Sequence, residues 1–126
     1  MYEIRATAGF DAAHYLLNYE GACARMHGHT WTVEAAVTGS ELDESELLMD
    51  FHDLRKLLRE VIESFDHNCL NDLDAFSELS PTSENIAAYI YRELLIKLRE
   101  FPHRATLAWV SVAESRDTKA VYREEG

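Results

Sequence analysis

The sequence predicts an α+β fold of the order ββααββ, a four-stranded antiparallel sheet packed by two helices. Three observations lead there: β-rich segments at both ends of the chain, two helical periodicities between them, and no linker or internal repeat. With 126 residues the chain has the length of one domain, 1–126, large enough to bury a single core.

The first element is Tyr2–Phe10, which alternates loosely and ends near the small residues before His14. A turn-like stretch, Asn18 to Gly21, follows. Thr30-Trp31-Thr32-Val33-Glu34-Ala35-Ala36-Val37 is rich in β-formers and closes at Gly39-Ser40, which marks the second strand. From Phe51 to Phe65, Leu54, Leu57, Leu58, Val61, Ile62 and Phe65 recur on one helical face behind an N-capping Asp50. Pro81-Thr82-Ser83-Glu84 starts a second helix carrying Ile86, Ala87, Ile90, Leu94, Leu95 and Leu98, and Pro102 ends that region. Two strands close the chain, within Ala105–Ser115 and Thr118–Arg123, on either side of an Arg116-Asp117 turn. Such a sheet leaves open edges, which oligomerisation commonly covers.

Composition removes several classes of function. A net charge of −11 without a basic run argues against nucleic acid as a partner, because phosphate contacts need a basic surface. No apolar stretch is long enough to span a bilayer, and the Met1-Tyr2-Glu3-Ile4-Arg5 start lacks the pattern of a secretion signal, so the cytoplasm is the expected compartment and no membrane partner is expected. In a reducing compartment Cys23 and Cys69 are expected as thiols rather than as a disulfide.

The chemistry centres on histidines. His27-Gly28-His29 places two imidazoles on the same side of an extended segment, and pairing of the first two strands brings His14 towards them. Three imidazoles with no fourth protein ligand make the arrangement of a catalytic zinc, although imidazole also suits copper, nickel and iron, and an isolated H-x-H is common in surface strands. Cys23 lies four residues before His27, next to Arg25, a setting that can lower a thiol pKa; a small buried hydrophobe is the alternative. Asp66-His67 ends the stronger helix region, either as a proton relay with the carboxylate orienting the ring or as a dipole-complementing helix terminus. Thr82 and Glu84 read first as a helix start, and Glu114 as a solvated or paired residue at a sheet edge.

Taken in order, Phe10-Asp11-Ala12-Ala13-His14, Cys23-x-x-x-His27-Gly28-His29, Met49-Asp50-Phe51, Asp66-His67-x-x-Leu70-Asn71-Asp72, Pro81-Thr82-Ser83-Glu84-Asn85 and Glu114 with Ala120-x-Tyr122 resemble the 6-pyruvoyltetrahydropterin synthase and 6-carboxytetrahydropterin synthase family. The resemblance runs from about residue 3 to residue 123. It implies a tunnelling fold in which subunit sheets join into a barrel, as trimers stacking into hexamers. It also implies zinc on His14, His27 and His29, acid–base chemistry at Cys23, Asp66 and His67, and a pterin anchored by Glu114. Thr82, Glu84 and Arg25 would be further substrate contacts. The implied substrate is 7,8-dihydroneopterin triphosphate. The Cys-x-x-x-His-Gly-His spacing is similar to the bacterial branch, whose product is 6-carboxy-5,6,7,8-tetrahydropterin, formed with loss of acetaldehyde and triphosphate on the way to queuosine and other 7-deazaguanines. The pyruvoyl branch, a non-catalytic pterin- or metal-binding scaffold, and an unrelated zinc hydrolase remain alternatives.

Overall fold

The computed structural model describes residues 1–21 and 24–124. Two long strands, β1 (Tyr2–His14) and β2 (His27–Gly39), pair antiparallel over their whole length, from Tyr2 opposite Gly39 to His14 opposite His27. Both run further than the β-formers alone indicate. At the paired ends of the two strands the extra residues are Asp11, Ala12, Ala13 and His14 and, opposite them, His27, Gly28 and His29, letters of low strand propensity that the ladder carries because their partners are already in register.

Along β1, Ala6, Ala8, Phe10, Ala12 and His14 are buried, and Glu3, Arg5, Thr7, Gly9 and Asp11 between them are exposed. One face of the sheet is therefore the core face, and the other is not covered by a helix. β4 (Thr106–Ala113) adds antiparallel to β2 with a register shift after Ala36, and β5 (Ala120–Tyr122) adds antiparallel to β4. These are the four expected antiparallel strands. A fifth strand that the sequence does not announce, β3 (Asn68–Cys69), pairs parallel to Ala12 and Ala13, giving the order β3-β1-β2-β4-β5 in an open, mixed sheet.

α1 (Phe51–Ile62) packs Leu54, Leu58, Val61 and Ile62 on the core face, and the Asp50 carboxylate caps it by accepting the His52 N–H at 2.8 Å. The expected helix to Phe65 ends instead in a 3₁₀ turn, Glu63–Phe65, which buries Phe65 against Phe10 and Phe76. The tighter turn swings the chain back to β1, where Asp66 is extended and His67 has a left-handed φ of 59°. α2 (Ser83–Arg99) buries Ile86, Ala87, Ile90, Tyr91, Leu94 and Leu98, and the Thr82 hydroxyl caps it by accepting the Asn85 N–H at 3.1 Å. No helix among the described residues is long and apolar enough to cross a membrane.

Candidate active site

The β1–β2 register makes the site. His14 and His27 are direct cross-strand partners, and His29 lies two residues further along β2, so all three rings project from the core face just beyond the apolar core. Their centroids are 4.5 Å (His14–His27), 4.7 Å (His27–His29) and 5.4 Å (His14–His29) apart. Trp31, fully buried, floors the cluster edge-on to His14 at 4.8 Å, and its indole N–H donates to the Ala12 carbonyl at 3.1 Å.

Backbone carbonyls orient two of the rings. His14 Nδ1 lies 2.8 Å from the Pro81 oxygen, and His27 Nδ1 lies 2.7 Å from the Arg25 oxygen. A carbonyl only accepts, so each Nδ1 carries the hydrogen and each Nε2 presents a lone pair. His14 Nε2 and His29 Nε2 are buried and have no hydrogen-bond partner among the described residues. Facing them is one oxygen of Glu114, 3.0 Å from His29 Nε2 and 3.3 Å from His14 Nε2. In the tautomer that Pro81 imposes, the His14 contact sets an imidazole lone pair against a carboxylate oxygen, which is favourable only with a cation between them. Burial first, and the neighbouring imidazoles His27 and His29 after it, hold the His14 pKa below its ordinary value despite the opposing Pro81 bond and Glu114 charge, so this ring is neutral and ready to ligate at neutral pH. One ligand atom each from His14, His27, His29 and Glu114 lies within 4.8 Å of the others. The donor set fits a divalent metal.

Glu114 therefore stands closer to the imidazoles than its letter at a sheet edge indicates. The reason is register: Val33 faces Val112, so two residues on, Glu114 comes level with Trp31 on the core face. The same carboxylate borders a cavity of about 400 Å³ with Ser83, Glu84, Thr118 and Lys119, placing it between the metal cluster and a space of ligand size. Glu84 is exposed in the first turn of α2, and Thr82 spends its hydroxyl on the helix cap. Arg25 is exposed and contributes its carbonyl to His27. Cys23 lies outside the described residues.

Asp66 and His67 form a pair, Asp66 Oδ2 lying 3.0 Å from His67 Nδ1. The backbone N–H of Asp11, first, and the His67 charge after it hold the Asp66 carboxyl below its usual range. The pair does not join the imidazole cluster of its own chain. It lies with Asp11, whose side chain projects from the uncovered face, whereas His14, three residues along the same strand, projects from the core face. Asp11, the Pro81 carbonyl and the Trp31 floor are parts of the site that sequence reasoning missed. For Asp11 a signal existed, since its odd spacing from His14 already sets the two on opposite faces.

An open α+β sheet backed by two helices, with three imidazoles at the end of its long hairpin and the carboxylate that follows β4 beside them, frames a candidate metal site. Residues 3–125 match the family model described as 6-pyruvoyl tetrahydropterin synthase, and the chain belongs to that family. It is 37% identical to the 6-carboxy-5,6,7,8-tetrahydropterin synthase of Bacillus subtilis, over 97% of this chain and 85% of the relative. It is 37% identical to the protein of the same name from Synechocystis, over 75% of each chain. The fold is shared with the Caenorhabditis elegans 6-pyruvoyl tetrahydropterin synthase structure, at a TM-score of 0.84 and 24% identity, covering 98% of this chain and 96% of that one.

Proposed function

We propose that this protein is a zinc-dependent lyase that converts 7,8-dihydroneopterin triphosphate into 6-carboxy-5,6,7,8-tetrahydropterin, releasing acetaldehyde and triphosphate in the service of 7-deazaguanine and queuosine synthesis in the cytoplasm. The observation that carries the reading is the convergence of His14 Nε2 and His29 Nε2 with the third imidazole, His27, on one point beside Glu114, in a chain whose relatives bear the 6-carboxy name. His14, His27 and His29 hold the metal, which when bound supplies Lewis-acid polarisation of the substrate's side-chain oxygens. Glu114 turns towards the adjoining cavity and accepts the paired N–H groups of the pterin ring. Thr82, Glu84 and Arg25 are further substrate contacts, of which Glu84 borders the same cavity as Glu114. Cys23, four residues before His27, removes and returns a proton at the side chain.

Asp66 and His67 exchange protons on the opposite side of the substrate. Because the sheet separates them from the imidazoles of their own chain, they serve the metal centre of a second copy, and the active species is a homo-oligomer, trimer to hexamer. The unpaired edge of β1 before Ala12 and the outer edge of β5 are the surfaces through which sheets would join into a barrel. Incubating the zinc-loaded protein with dihydroneopterin triphosphate tests the reading. Stoichiometric acetaldehyde is the expected result; a 6-pyruvoyl product without acetaldehyde moves the chain to the other branch, and no turnover at all overturns it.

A further inference from the structure

The left-handed backbone at His67 is unusual for a residue with a side chain, and both main-chain polar groups of Asp11 bond to the Asp66–His67 segment that carries it. The Asp11 N–H donates to Asp66 Oδ1 at 2.9 Å, and the Asp11 carbonyl accepts the His67 N–H at 2.6 Å. One strand residue thus holds carboxylate and imidazole together. The Asp11 side chain is itself pinned, accepting the Thr30 hydroxyl at 2.7 Å across the strand pair. In that position one of its oxygens, one of Asp66's and one ring nitrogen of His67 lie within 4.8 Å of each other. The imidazole is bordered by two carboxylates, and it faces a cavity of about 570 Å³ that Asp11, Thr30 and Cys69 also line.

We propose that Asp11 is the positioning residue of the Asp66–His67 pair: its main chain clamps the pair, and its carboxylate, locked by Thr30, stabilises the positive ring formed when His67 takes up a proton. The proposal rests on the lyase reading above for its consequence in turnover, but its geometry stands apart from it. Asp11→Asn keeps the clamp and an acceptor for Thr30 while removing the charge, so folding is preserved and the electrostatic part is isolated.

The test compares wild type, D11N, D11E and T30V as zinc-loaded full-length protein. Expected for D11N is a loss in kcat of about tenfold with KM held within about twofold, unchanged zinc content and thermal midpoint, and displaced His67 ring resonances in NMR spectra assigned with H67A. D11E recovers part of kcat, and T30V loses part of it. A D11N enzyme with wild-type kcat and unmoved His67 resonances overturns the proposal. So does a rise in KM at constant kcat, which would make Asp11 a substrate contact. Should wild type fail to turn over any pterin, the lyase reading fails alone, and the displacement of the His67 resonances still decides whether the Asp11 carboxylate acts on the ring.

Discussion

His27→Ala and His67→Ala each remove one half of a site that, on the function proposed above, two chains complete together. His27 belongs to the core-face cluster and His67 to the opposite face, so each variant alone leaves every site defective. Mixed chains behave differently. In an equimolar, randomly reassembled population, a site is whole when its imidazoles come from an H67A chain and its relay from an H27A chain. Each condition holds with probability one half, so about one quarter of wild-type activity returns. The assay is acetaldehyde release after dissociation and reassembly of the zinc-loaded mixture, with subunit exchange verified by native mass spectrometry. Activity that stays at the level of the single variants, in assemblies shown to be mixed, refutes the argument, since it means that imidazoles and relay act within one chain.

His14→Ala removes both a ligand and the donor to the Pro81 carbonyl, so bound zinc measured by elemental analysis falls below one per chain, and chemical denaturation shows a stability loss of about 2 kcal/mol. Thr82→Ala strips the α2 cap and costs about 1 kcal/mol in the same assay, while Thr82→Ser restores most of it. For Asp66 the folded-state pKa lies below the unfolded one, so the unfolded chain takes up the proton first as pH falls. Its contribution is complete above the ordinary carboxylate range and disappears as pH drops through the lowered value. Wild type and Asp66→Asn should therefore differ in thermal midpoint at neutral pH and converge in acid; a gap that persists in acid contradicts the assignment.

Much of this was legible in the letters, and what was not has a physical reason. The periodicity of Leu54, Leu58, Val61 and Ile62 specifies α1 because a helix face needs several apolar residues at fixed spacing. His27-Gly28-His29 indicates two ligands on one side of a strand by period-two geometry alone. The two-residue β3 has too few letters to carry a pattern, and it pairs because the 3₁₀ turn after α1 delivers it to β1. The carbonyls of Pro81 and Arg25 that orient His14 and His27 leave no trace in side-chain identity, since every residue has one. Glu114 looked peripheral because its place depends on the β2–β4 register, which sets Thr32 opposite Ala113 and which composition does not encode.

The period of two that assembles the metal cluster also disperses the rest of the machinery. Since alternate residues of β1 face opposite sides, a strand that commits His14 to the core face commits the Asp11 carboxylate to the other, and the Asp66 and His67 side chains gather within 4.8 Å of that carboxylate. On the function proposed above a second copy completes the site, and the β1 and β5 edges, which no further strand pairs among the described residues, offer the hydrogen bonds for joining it. On this argument assembly and catalysis are one constraint, and a charged or proline substitution at the β1 edge that blocks sheet joining should abolish turnover while leaving His14, His27 and His29 able to hold zinc in the separated chain.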